Sequence, residues 1–134
     1  MPGRIRTIEA VTLLLAFVSV GAGLWAMIDP HAFYANAATY PPYSRHFIHD
    51  IGAFQLGLGS CLVAGLLLRD ALLAVLAGNA IGALAHLVGH VVDRSEGGKS
   101  SDPITFGVIA FAFVLLVAGR WRLVTSGRDR AHTA

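Results

Sequence analysis

Charge is scarce in this sequence. Asp, Glu, Lys and Arg together make up 13% of its 134 residues, whereas hydrophobic residues make up 55%. An ordinary soluble domain carries about 25% charged residues. The low charge and the mean hydropathy of +0.65 therefore indicate a chain that is dissolved in lipid. A length of 134 residues limits it to one domain.

Cysteine pairs, phosphate loops and repeats are also missing. Cys61 is the only cysteine, so the chain forms no intramolecular disulfide. The pair Gly97-Gly98 lacks the spacing of a phosphate loop and lies between two apolar runs rather than after a strand. The basic C-terminal tail has no interleaved aromatic residues and no binding module, which excludes nucleic acid as a partner. No motif repeats along the chain, which excludes a solenoid.

What the chain does have is four long apolar runs. They cover residues 10–28, 51–68, 71–92 and 104–119, with lengths of 19, 18, 22 and 16 residues. A helix needs about 20 predominantly apolar residues to cross a bilayer. Arg120, Trp121 and Arg122 can extend the shorter fourth run to the interface, because arginine snorkels and tryptophan favours the headgroup level.

These lengths predict an all-α fold, since only helices and closed barrels can span a membrane. The expected architecture is a four-transmembrane-helix bundle that forms a single integral membrane domain over residues 1–134. The spans are predicted at about 9–28, 46–68, 71–92 and 103–121. A signal peptide is the alternative for the first run, but this run is longer than a typical signal core and no cleavage motif precedes Asp29-Pro30.

The basic residues predict the orientation of the bundle. With both termini in the cytoplasm, seven arginines lie inside and three basic residues lie outside, as the positive-inside rule favours. The lipid bilayer is the first expected partner. A homo-oligomer or a larger membrane complex is left open. The inside set is Arg4, Arg6, Arg69, Arg120, Arg122, Arg128 and Arg130, and the outside set is Arg45, Arg94 and Lys99.

Ionisable side chains flank the second and third runs. The two-residue linker Arg69-Asp70 makes these runs an antiparallel hairpin. In such a hairpin, two residues whose numbers sum to 139 lie at the same depth in the membrane. The polar residues at the start of the second run and at the end of the third run therefore fall in one layer near the outer surface. The second run opens with His46, His49 and Asp50, and the third run ends with His86, His90 and Asp93.

Helical spacing selects the side chains that would converge in this layer. At about 100° per residue, the three polar residues of the third run share one stripe roughly 60° wide. On the second run, His46 and Asp50 lie on one face and His49 lies about 100° away. Glycines on both runs favour a close approach of the two helices. The predicted metal ligands are His46, Asp50, His86 and His90, with His49 and Asp93 as further ligands or as partners that orient the imidazoles.

Three imidazoles and one carboxylate suit a divalent transition metal, namely zinc, iron or copper. Ionisable groups in a membrane segment are costly and are functional hypotheses by default. A proton relay or pH sensor is an alternative because histidine titrates near neutrality. A structural hydrogen-bond network is the other alternative.

The metal hypothesis leaves several functions open. The chain could be a metal-handling protein or an accessory subunit. It could instead be a metal-dependent membrane enzyme acting on a lipid or quinone-like substrate, with Asp93 as a candidate base. A b-type haem carrier with His86 and a second-run histidine as axial ligands is less favoured. The sequence does not decide whether the protein is an enzyme.

The two histidine motifs together resemble a known group of proteins. Residues 41–53 read PPYSRHFIHDIGA, and His86-Leu-Val-Gly-His90 follows about thirty residues later. This pattern is similar to that of small four-span actinobacterial membrane proteins with a Pro-Tyr-x-x-His-x-x-x-Asp-x-Gly motif and a later His-x-x-x-His. Ser44-Arg45 stands in place of an Asn-Glu pair. The resemblance covers about half of the chain and implies a four-span fold in a bacterial cytoplasmic membrane, but no activity.

Overall fold

Five α-helices form the part of the chain that this computed structural model describes, which is residues 2–132, with side chains described over residues 3–126. No strand occurs within those residues, so the all-α prediction is confirmed. The helices are α1 Pro2–Ile28, α2 Pro30–Asn36, α3 Arg45–Leu67, α4 Leu72–Val92 and α5 Asp102–His132.

Four of these helices are long and apolar enough to cross a membrane, with lengths of 26, 23, 21 and 25 residues in their candidate spans. The prediction of a multi-pass membrane bundle is therefore confirmed. The first and last helices extend beyond the predicted spans, because a helix continues wherever its backbone hydrogen bonds are made, whereas the predicted spans followed the apolar residues. The candidate spans are Gly3–Ile28, Arg45–Leu67, Leu72–Val92 and Asp102–Ser126.

N-cap side chains mark the starts of α2 and α3. The Asp29 side chain accepts a hydrogen bond from the backbone N–H of Ala32 at 3.0 Å, and Pro30 occupies the first turn. The Ser44 side chain accepts one from the N–H of Phe47 at 3.3 Å. The Asp29 cap thus separates α2 from α1, and the Ser44 cap fixes where the chain leaves residues 37–44 and enters α3.

The four long helices meet in one apolar core on the side of the membrane where residues 68–71 lie, which we call the hinge side. Leu62 and Leu76 are fully buried there, and Phe113 is 5% exposed. The buried residues of α4 all lie between Leu72 and Ala80, in its first three turns. The core cluster consists of Ile8, Ala16, Leu62, Leu72, Leu76, Ala80, Phe113 and Leu116.

Close packing occurs between α1 and α3. A Cβ added at Gly59 would lie 2.9 Å from the backbone nitrogen of Val20, and one at Gly52 would lie 3.0 Å from the carbonyl oxygen of Gly23. Larger side chains do not fit at these positions, as expected where membrane helices pack on small residues. In turn, α4 packs mainly against α5, and α3 and α4 touch over a smaller area. Of the glycines that favoured an α3–α4 contact, Gly52 and Gly59 serve the α1–α3 contact instead, whereas a Cβ at Gly57, Gly78 or Gly82 would meet nothing within 4 Å.

The other side of the membrane holds residues 37–44 and 93–101, and we call it the loop side. A second cluster lies here and joins Ala26, Phe33 and Ile48 from α1, α2 and α3. No described residue of α4 beyond Ala80 is buried. The loop-side half of the molecule is therefore divided into an α1–α2–α3 part and an α4–α5 part.

Candidate functional site

Two histidines of α4 lie in direct contact near its loop-side end. The Nε2 atoms of His86 and His90 are 2.9 Å apart. Their rings are parallel, with centroids 4.8 Å apart and an interplanar angle of 1°. The spacing of four residues places both on one face of the helix, as the sequence predicts. The Nε2 atoms of both imidazoles therefore face the same small region between the two rings.

Phe106 of α5 packs against both imidazole rings. Its ring centroid lies 4.2 Å from that of each histidine, with interplanar angles of 20°. This contact restricts rotation of the two imidazoles. Sequence reasoning missed Phe106, although the depth argument used for the second and third runs applies equally to the third and fourth. Residues near 106 then lie level with residues 86–90.

The opposite nitrogen of His90 faces Tyr40 and Asp102. The Tyr40 hydroxyl lies 2.9 Å from Nδ1 of His90, and the Asp102 Oδ2 lies 3.7 Å from it. The second distance is too long for a hydrogen bond but places a negative charge beside the ring. Asp102 is itself held by the backbone N–H of Lys99, which donates to Oδ2 at 2.8 Å. The side chains of His90 and Asp102 are each only 12% exposed. The contacts at Nδ1 therefore hold the orientation of the His90 ring.

The two loop segments bind each other and thereby bring Tyr40 to His90. The Gly98 N–H donates to the Thr39 carbonyl at 3.1 Å, and the Lys99 ammonium donates to the Asn36 carbonyl. Gly98 has a φ of +79°, and a Cβ there would lie 2.6 Å from the Tyr40 hydroxyl. Only glycine meets both requirements at this position.

The Tyr40 hydroxyl is linked to the tautomer of the histidine pair, because the ring nitrogen that carries the proton decides which partner donates. Burial, and then the charges of Asp102 and Asp93, raise the pKa of Tyr40 above its usual value. The phenol is therefore protonated at neutral pH. When it donates to Nδ1 of His90, neutral His90 carries its proton on Nε2 and donates to Nε2 of His86. A hydrogen-bond chain thus runs from Tyr40 through His90 to His86.

A pocket of about 230 Å³ opens over this pair. It is lined by Tyr40, His86, Gly89, His90 and Asp93. The Asp93 carboxylate lies beside Gly89, with its Oδ2 atom at a van der Waals distance of 4.0 Å from where a Cβ would be. Three of the six predicted site residues, namely His86, His90 and Asp93, therefore share one pocket.

The other predicted ligands lie on α3. His46 Nε2 is 3.6 Å from Asp50 Oδ2, and their side chains are 89% and 52% exposed. The spacing of four residues pairs them, as expected. His49 lies apart from this pair, and its Nε2 is buried with no hydrogen-bond partner among the described residues.

Nothing described in the structure connects the α3 pair to the α4 pair. Over residues 3–126, no hydrogen bond or ion pair joins His46 or Asp50 to His86 or His90. In the same part of the chain, no group of three His, Cys, Asp or Glu side chains is arranged to hold a metal ion. The four-ligand set stays a prediction.

Comparisons with protein-family models, with curated proteins and with solved structures found no match to this chain. The resemblance to four-span actinobacterial proteins therefore stays a prediction. The function of the site is inferred from its own geometry.

Proposed function

We propose that this integral membrane protein binds one divalent transition metal ion, zinc, iron or copper, through the Nε2 atoms of His86 and His90. The observation that carries the proposal is their separation of 2.9 Å. Metal–nitrogen bonds of about 2.0–2.1 Å place two such nitrogens at about 90° around one ion. A tetrahedral ion needs them about 3.3 Å apart, which a small rotation of the two rings provides.

The groups behind His90 suit a metal ligand. When Nε2 binds a metal, the ring proton moves to Nδ1 and needs an acceptor. The Tyr40 oxygen, 2.9 Å from Nδ1, can accept this hydrogen bond, and the Asp102 carboxylate, 3.7 Å from the same nitrogen, places a negative charge beside it. Asp93 lines the same pocket, and its carboxylate would become a third ligand if its side chain turned toward the two Nε2 atoms. His46, Asp50 and His49 would join this centre only if the loop-side halves of α3 and α4 closed on each other.

A proton relay is the second candidate. It is favoured by the continuous contacts from Tyr40 through His90 to His86, at 2.9 Å for each step. In this function the two histidines share a proton and need no metal. Histidine is suited to this role because its charge changes near neutral pH.

The function of such a metal centre depends on which molecules can approach the ion. His86 is exposed on a helix that is long enough to span the bilayer, so a lipid or quinone-like molecule could approach the ion from the membrane. This exposure supports a metal-dependent enzyme as an extension of the proposal. A haem carrier gains less support, because His86 is paired with His90 rather than with a histidine of α3, and Phe106 covers both rings.

Metal analysis of the purified protein tests the proposal. The protein is extracted in mild detergent, and its metal content and visible spectrum are measured for the wild type, His86→Ala and His90→Ala. We expect about one ion per chain in the wild type and none in either variant. His31→Ala is the matched control, because this histidine packs on Tyr43 rather than on the pair, and it retains the metal.

His46→Ala separates the two-histidine centre from the larger set. Retention of the metal in this variant supports a centre on α4 alone, and its loss supports the four-ligand set. Metal that persists in both His86→Ala and His90→Ala would contradict the proposal. A Soret band would identify haem as the bound group instead. A protein that contains no metal after growth with added zinc, iron and copper would contradict the proposal and favour the proton relay.

We further infer that the protein resides in a bacterial cytoplasmic membrane with both termini inside. The excess of arginine on the hinge side supports this orientation. Fusion of a reporter that is active only in the cytoplasm tests it at the C-terminus and within residues 94–101. Activity at the C-terminus alone is expected, and activity in the loop alone would reverse the orientation.

A further inference from the structure

A second and larger pocket lies between α4 and α5 on the hinge-side half of the molecule, away from the histidine pair. Its volume is about 490 Å³, and its lining is almost entirely apolar. The small side chains of Ala77, Ala80 and Ala118 leave a gap between the two helices. Trp121 and Arg122 lie at one end of this gap. The pocket is therefore an apolar groove with a cation at its mouth.

The length of the groove corresponds to one leaflet. On α5 it extends from Val114 to Arg122, which is about 12 Å at 1.5 Å per residue. Half of the hydrocarbon thickness of a bilayer is about 15 Å. Trp121, which is 58% exposed, belongs to a residue type that concentrates at the headgroup level. The groove thus runs from the interface to near the middle of the membrane.

Among the residues with described side chains, the cation at the mouth has no counter-ion. Over residues 3–126, Arg69 forms an ion pair with Glu9 at 3.6 Å, and Arg120 donates to the Arg69 carbonyl at 2.7 Å. No ion pair involves Arg122 in this part of the chain. Its guanidinium is therefore available to an anion at the headgroup level.

We propose that this groove binds one acyl chain of an anionic glycerophospholipid, with the lipid phosphate on the guanidinium of Arg122. Basic pockets between membrane helices on the cytoplasmic side bind anionic headgroups. The guanidinium matches phosphate because its planar N–H groups donate in pairs. An acyl chain matches the apolar lining because it needs no hydrogen bonds. The lipid is independent of the metal centre, which lies at the other end of α4.

Native mass spectrometry of the detergent-purified protein tests this binding. The protein is titrated with dioleoylphosphatidylglycerol and, separately, with dioleoylphosphatidylcholine. We expect one tightly retained phosphatidylglycerol and weaker retention of phosphatidylcholine. Arg122→Gln lowers phosphatidylglycerol affinity about fivefold, the effect of one basic residue at a membrane surface. Arg122→Lys, which keeps the charge and loses the paired donors, lies between Arg122→Gln and the wild type.

Two matched controls separate the site from general effects. Arg94→Gln removes one arginine from the loop side and leaves phosphatidylglycerol binding unchanged. Ala118→Phe fills the groove and abolishes retention of the lipid, whereas Ala53→Phe makes the same change at an exposed position of α3 and does not. Circular dichroism and gel filtration of each variant establish that it is folded.

The proposal is overturned by any of three outcomes. These are equal retention of the two lipids, equal effects of Arg122→Gln and Arg94→Gln, and a lipid adduct that persists in folded Ala118→Phe. A dimer that Ala118→Phe dissociates would identify a second copy of the chain as the occupant instead. None of these outcomes depends on whether the protein binds metal.

Discussion

The hinge-side and loop-side halves of this bundle are held together by different contacts. On the hinge side, apolar side chains from all four long helices form one core. On the loop side, α4 and α5 face the rest of the molecule through polar contacts of Tyr40, His90 and Asp102. The hinge side therefore supplies stability, and the loop side has a small polar pocket in which Tyr40, His90 and His86 contact one another in series.

Polar residues in the hinge-side core are satisfied within their own helices. The Thr12 hydroxyl donates to the Ile8 carbonyl at 2.7 Å, and the Asn79 amide donates to the Val75 carbonyl at 3.0 Å. Neither bond links two helices, so this core is held by packing. The polar contacts that do connect separate segments on the hinge side, from Arg120 to the Arg69 carbonyl and from Arg69 to Glu9, lie outside the core. The loop side differs, because its polar contacts between segments include the side chains of the candidate site.

The largest expected effect is the loss of packing in the hinge-side core. Leu76→Ala removes a side chain that is fully buried, and such changes lower the free energy of unfolding by about 2–5 kcal/mol. Val88→Ala on the loop-side half of α4, where the side chain is 59% exposed, changes it by no more than about 0.5 kcal/mol. Denaturant unfolding in detergent measures both. Equal effects would show that the two halves of α4 are not packed differently.

An intermediate effect is expected at the α1–α3 contact. Gly59→Val places a side chain against the backbone of Val20 and destabilises the protein by about 1–3 kcal/mol. Gly57→Val is the matched control, because a Cβ at Gly57 meets nothing within 4 Å. Thermal unfolding distinguishes the two variants. If Gly57→Val were the more damaging, α3 would pack through its other face, toward α4.

The change expected to affect stability least concerns the orientation of His90. Tyr40→Phe removes the hydroxyl that contacts Nδ1 and leaves the ring, and loss of such a partner lowers metal affinity about 10–100-fold. Tyr34→Phe is the control, since Tyr34 packs on Tyr43, with ring centroids 5.2 Å apart. Zinc titration by calorimetry measures the affinities, and circular dichroism checks that both variants retain their helices. An unchanged affinity in Tyr40→Phe would remove Tyr40 from the site.

The part of the site that the sequence predicts is the part that depends on one helix. His86 and His90 meet because residues four apart lie on one face of any α-helix, and Asp93 falls within the same stripe. Tyr40, Phe106 and Asp102 could not be assigned to the site in this way. They reach it from a loop and from the next helix, through contacts such as that of Gly98 with Thr39.

The pairing of the helices is the other feature that the sequence leaves undecided. In lipid, apolar residues are favourable on every face of a helix, so a hydrophobic pattern does not tell which face meets a neighbour. The glycines on α3 favoured a close contact, but the close fit of Gly52 and Gly59 is with α1. The separation of the α3 and α4 histidines follows from this choice of partner.

The sequence alone determined that the chain forms four helices that can span a membrane and that His86 and His90 lie together. Both results follow from local rules, namely the length of an apolar helix and the number of residues per turn. Only the tertiary structure decided that α3 packs on α1, that α4 packs on α5, that Tyr40 contacts His90 and that Phe106 packs on both histidines. These contacts depend on the fit of side chains distant in sequence, which no local pattern specifies.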